Sequence, residues 1–162
     1  MKKTIREEVI LELVARGAVI RTNGSPQAYS TDCGQNVLRS RPKVGDEELP
    51  CVVVWPQIET CENANGLSKH EMPVQIDSIM AFGSRDPQEV GEEMYGDLIK
   101  CFASPSWDRT RPGSPCPGEN FFDSIVHQSG GAAAPEDGSV TVGATARFII
   151  TYWTQVGDPY NQ

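Results

Sequence analysis

The side chains able to form a nucleophile and its base are five cysteines, Cys33, Cys51, Cys61, Cys101 and Cys116, and two histidines, His70 and His127. A thiol attacks as its thiolate and needs an imidazole within hydrogen-bond reach to take the proton. Any of Cys33, Cys51 or Cys61 could meet His70 in space, which would make a small cysteine hydrolase. Against this, His70 falls at the foot of an expected hairpin, where a surface histidine is the ordinary outcome, and His127 ends an expected strand. The cysteine count is odd and no pair has C-x2-C spacing, so the pattern supports neither a zinc site nor a disulfide framework. Reduced thiols, some buried as small apolar groups, are the simpler expectation.

Acid–base chemistry would need a desolvated carboxyl. The neighbouring acids Glu7-Glu8, Asp46-Glu47-Glu48 and Glu92-Glu93 fall on expected loops or polar helix faces, so solvated charge is expected there. The chain has no phosphate-loop, dinucleotide, zinc-protease or nucleophile-elbow motif. Arg39, Arg41 and Lys43 form a short basic segment, too small for nucleic-acid grip. Lys plus Arg number 14 and Asp plus Glu 22, so the net charge is 14 − 22 = −8. A protein that grips nucleic acid over a wide face neutralises phosphates with Lys and Arg. That class is excluded, but a protein that DNA slides past is not. The expected set therefore includes no catalytic residue, no metal and no cofactor.

The elements that would position these residues follow from periodicity. At 162 residues the chain suits one domain spanning 1–162. Arg6, Glu7, Glu8 and Glu12 break the apolar run that a secretory leader would need, so a cytoplasmic site of synthesis is expected, with no membrane partner. Ile5, Val9, Ile10, Leu13 and Val14 form one stripe of a helix over residues 4–16, capped by Thr4 and stopped at Gly17. Residues 28–37 suggest a short strand, a tight turn near Asp32–Gly34 and a second short strand. The run Leu49–Trp55 is a strand covered on both faces or central in its sheet. Asn65-Gly66 turns a hairpin over residues 59–70, with a return strand over Met72–Phe82. Asp86-Pro87 opens a second helix, whose stripe is Val90, Met94, Leu98 and Phe102. Long loops are expected at 104–119, where prolines forbid helix, and at 129–139. Strands over Phe121–His127 and Val140–Gln155 close the chain, with an exposed tail beyond. Helix, strands, helix, strands without βα alternation gives an α+β fold: a mostly antiparallel sheet, two helices on one face and a projecting hairpin.

In this order of elements the chain resembles the tail terminator (minor tail, tail-completion) proteins of long-tailed bacteriophages. The resemblance rests on several features in series. They are the N-terminal helix, Tyr29-Ser30-Thr31-Asp32-Cys33-Gly34, Glu48-Leu49-Pro50-Cys51-Val52-Val53-Val54, Met72-Pro73-Val74-Gln75-Ile76, the helix at 87–102, Phe148-Ile149-Ile150-Thr151-Tyr152 and the Gly157-Asp158-Pro159 tail. It spans most of the chain, except the Pro-rich 104–119 segment, which has no place in the family pattern. It implies a structural virion protein at the tail–neck junction, without enzymatic activity. Such a protein forms a homo-oligomeric ring, commonly a hexamer, that caps the tail tube, stops its polymerisation and offers a surface to the head–tail connector. The implied partners are further copies of the chain, the tail tube protein and the connector, and DNA passes through without being held.

On this reading Arg39, Arg41, Lys43, Glu62, Asn65, Lys69 and His70 are candidate subunit or tube contacts. Asp46, Glu47 and Glu48 are candidate channel-lining acids. Another neck protein, a head-closure or adaptor subunit, is the nearest alternative, and a cysteine hydrolase is a more distant one.

Overall fold

The computed structural model describes residues 1–24, 28–103 and 120–162. The expected loop at 104–119, with Cys116, and part of the first turn therefore lie outside the described residues. Helix α1 (Ile5–Gly17) starts where Thr4 accepts a hydrogen bond from the Glu7 amide at 3.2 Å. Helix α2 (Pro87–Phe102) starts where Asp86 accepts from the amides of Gln88 and Glu89. These caps satisfy amides that have no partner within the helix.

Six strands form one sheet: β1 (Asn36–Arg39), β2 (Cys51–Pro56), β3 (Thr60–Ala64), β4 (Leu67–Ala81), β5 (Ser124–Ala133) and β6 (Thr141–Gln155). The order is β1-β2-β4-β6-β5, with β3 paired to β4 beyond the end of β2. Every pair is antiparallel except β1 with β2. Both helices lie on one face of this α+β sheet, α1 against β1 and β2, α2 against β5 and β6. The core between them includes Val9, Leu13, Met94, Leu98, Ile76 and Phe148, all at 1% exposure or less. β2 is central and its first four residues are fully enclosed, as its unbroken apolar run implies.

Three expectations are corrected. The 129–139 loop is largely strand, because β5 runs on to Ala133. Its Gly and Ala residues are there to admit α2. A Cβ added at Gly91 would come within 2.8 Å of the Ala132 methyl, and one at Gly130 within 2.8 Å of the Tyr95 ring. Residues 28–32 form no strand. A single 3-10 turn (Cys33–Gln35) leads into β1, and the stretch is fastened instead by the Asp97 carboxylate of α2. That carboxylate accepts from the Ser30 and Thr31 amides and the Thr31 hydroxyl at 2.8–3.0 Å. The return strand of the hairpin begins at Leu67, not Met72, and runs unbroken for 15 residues. Gly34 sits so close to the end of α1 that a Cβ would lie 2.8 Å and 2.9 Å from the Ile20 carbonyl oxygen and amide nitrogen. The tail is mostly exposed yet tied down, since the Ile5 amide donates to the Pro159 carbonyl and the Gln155 amide to that of Asn161.

Two one-residue insertions in the ladders decide which side chains share a face. Pro56 pairs with Val74 and Thr60 with Glu71, so residues 57–59 oppose only Met72 and Pro73. In β5, His127 pairs with Phe148 and Ser129 with Arg147, which leaves Gln128 as the extra residue. Each bulge reverses the in–out alternation of the strand after it. Beyond residues 57–59 the odd-numbered side chains therefore turn to the helix side, Glu59 and Cys61 among them, while Glu62 turns to the opposite face.

Candidate functional site

The hairpin base holds the densest polar cluster. Glu59, turned inward by the bulge, accepts at one oxygen from Arg6 of α1 (2.5 Å) and from the Tyr152 hydroxyl (2.6 Å). Its other oxygen lies 3.3 Å from His70 Nδ1. The His70 ring stacks on Tyr152, with centroids 4.7 Å apart and planes within 6°, and its Nε2 shares a hydrogen bond with the Thr154 hydroxyl at 3.0 Å. Arg6 also donates to the Gln57 carbonyl. Burial, followed by the bond to Glu59, holds the Tyr152 hydroxyl above its usual range. The cluster joins α1, the hairpin and β6, and so fixes the angle at which the hairpin leaves the sheet.

Cys61 stands directly across the ladder from His70, the pairing a cysteine hydrolase would want. The geometry does not complete it. Both ring nitrogens of His70 are engaged, by Glu59 and Thr154, and the Cys61 thiol lies 3.8 Å from the Asn63 side-chain oxygen. Burial, its dominant cause, pushes the Cys33 thiol up to about 12 and the Cys51 thiol up to about 11, away from nucleophilic character. No disulfide joins Cys33, Cys51, Cys61 or Cys101. Among the described residues no three His, Cys, Asp or Glu side chains gather as metal ligands, and no helix is long and apolar enough to cross a membrane.

Two results follow for solution work. In the native protein Cys61, which is exposed, is expected to react with a thiol reagent while Cys33, Cys51 and Cys101 are protected; equal labelling of all four would contradict the burial. The two raised thiols bind their protons more tightly when folded than at the ordinary 9.0, so their contribution to stability is complete below that pH. It is lost as the pH climbs toward their folded values. The urea midpoint should hold between about pH 7 and 8.5 and fall by about pH 10.5.

The candidate contacts separate into three groups. Arg39 and Arg41 are committed within the subunit. Arg39 makes a two-pronged pair with Glu7 at 2.6 and 2.7 Å, and this pair lowers the Glu7 carboxyl. Arg41 lies 3.0 Å from Glu48, whose other oxygen accepts from the Gly45 amide at 2.8 Å. Glu48 is thus neutralised, whereas Lys43, Asp46 and Glu47 are exposed. His70 belongs to the inner cluster and is only 15% exposed. Glu62, Asn65 and Lys69 remain on the outer hairpin. Asn65 and Gly66 both have positive φ, 54° and 82°, as a two-residue hairpin turn requires. All five residues of β3 are exposed. Lys69 pairs with Glu71 at 2.7 Å, and Glu62 faces Lys69 across the ladder.

Sequence reasoning missed Arg6, Glu59 and Tyr152, and the signal was absent, because only the bulge turns Glu59 inward. It also missed Arg147 on the helix-free face. There the alternation of β6 does leave one arginine among Thr145, Ile149 and Thr151, which is a legible mark. No protein-family model matches the chain, and no curated protein matches its sequence.

Proposed function

We propose that the chain is a tail terminator subunit of a long-tailed bacteriophage, a structural protein that forms a ring, caps the tail tube and offers its far side to the head connector. The observation that carries this reading is the asymmetry of the sheet. One face is closed by both helices, while the other is partly exposed along β4 and β6. The hairpin strand β3, exposed at all five residues, extends one margin of the sheet, and β5 forms the opposite margin. A subunit with unlike opposite margins suits head-to-tail association, which closes into a ring when the rotation per subunit allows. The hairpin, with Glu62, Asn65 and Lys69, is the proposed neighbour contact, held at a fixed angle by Glu59 and Arg6. The net charge of −8 suits a ring past which DNA slides. Asp46 and Glu47, exposed and outside the Arg41–Glu48 pair, are the acids available for that lining.

Electron microscopy of particles made without this gene product tests the reading. Over-long tail tubes are expected. Tubes of normal length without heads would transfer the protein to the neck, and normal particles would end both readings.

A further inference from the structure

The helix-free face of the sheet carries a pocket of about 150 Å³ between the two bulges. Pro73 and Ile149 give it apolar walls, and Gln57, Gln128, Ser129 and Arg147 supply its polar groups. Gln57 and Gln128 are the bulge residues themselves, displaced from the regular ladder. A bulge re-aims side chains in this way next to binding sites. Arg147 donates through Nε to Gln75 at 3.3 Å. Gln75 in turn donates to Asp77, which also accepts from Thr145 at 2.7 Å. The chain of bonds therefore satisfies Asp77 without Arg147, and the two terminal nitrogens of the guanidinium have no protein partner among the described residues. A planar fork of N–H groups beside amides and a hydroxyl, in a space this small, is a receptor for a carboxylate.

We infer that this pocket receives the Glu62 carboxylate of a second copy of the chain, an inference that rests on the ring reading and names its contact. Glu62 lies on the same sheet face as the pocket but at the opposite margin, on β3, whereas the pocket reaches the margin formed by β5. It makes no ion pair among the described residues, and Lys69 opposite it is bonded to Glu71. Glu62 cannot reach the pocket of its own chain. Arg147 pairs with Gln75 and Glu62 with Lys69, six residues apart along β4, which is about 20 Å of strand. A head-to-tail neighbour brings the two margins together, acid to arginine, and the contact repeats around the ring.

Native mass spectrometry of the full chain over a range of concentrations tests this. Glu62→Lys and Arg147→Glu should each raise the concentration of half-assembly by about tenfold or more, and the doubly reversed protein should recover most of the loss. Both side chains are solvent-exposed, and circular dichroism of each single variant should match the wild type. If wild-type rings form and both single variants assemble equally well, the pocket contact is wrong and the ring reading stands. If Arg147→Glu alone disrupts assembly, the occupant is another acid and the inference fails. If the wild-type chain is monomeric throughout, the inference and the ring reading fall together.

Discussion

Arg16→Ala is expected to destabilise the protein by about 3–5 kcal/mol, because it strands a carboxylate in the core. Arg16 and Glu12 are one helical turn apart on α1, bonded at 2.8 and 3.2 Å, and each side chain is 2% exposed. The guanidinium also lies over the Phe122 ring, 4.7 Å from its centre, and the Arg16 carbonyl accepts from the Cys101 thiol. Taking both charges out of water cost free energy that their attraction only partly returns. Removing one partner leaves that cost uncompensated. Removing both does not, so the Glu12→Leu, Arg16→Met double variant should lie within about 2 kcal/mol of wild type. Urea denaturation measures both, and the single variant should melt lower by roughly 10 °C. Equal loss in the single and double variants would show that packing, not charge, dominates the site.

The second large effect concerns assembly. Replacing residues 62–68 by a two-residue Asn-Gly turn should leave the fold in place and abolish ring formation. The segment removed is the outer part of the hairpin, where β3 is exposed throughout. The fold loses the Ser68–Asn63 bond, the bond from the Val156 amide to Gly66, and the ladder from Ser68 to Thr154. That should cost about 1–3 kcal/mol, small beside the retained core. The anchoring cluster of Glu59, Arg6 and Tyr152 stays, so the shortened hairpin keeps its direction. Tails assembled with this variant should be over-long. Rings of wild-type mass and tails of wild-type length would remove the hairpin from the interface, and Glu62 with it.

The local elements were legible because their causes are local. The stripes Val9–Leu13 and Val90–Met94–Leu98, the caps Thr4 and Asp86, and the Asn65-Gly66 turn each depend on residues within a few positions of one another. So did the class of fold, since two one-sided helices and alternating strands have few ways to bury their apolar faces. Residues 129–133 misled because Gly and Ala usually mark loops. Here they are small so that Gly91 and Tyr95 of α2 can lie against the strand, a demand made by residues about 40 positions away.

Composition and periodicity by themselves determined that this is an acidic α+β chain with a hairpin and two amphipathic helices. Only the tertiary structure decided which polar groups are spent and which remain. Arg39 finds Glu7 and Arg41 finds Glu48, so most of the basic segment is neutralised within the subunit. A single extra residue at 57–59, and another at Gln128, reverse the faces of the strands that follow. They send Glu59 inward to Arg6, Glu62 outward, and open a pocket beside Arg147. A strand's side chains alternate with a period of two, so a one-residue slip exchanges inside for outside. Where that slip falls is set by the pairing of strands distant in sequence.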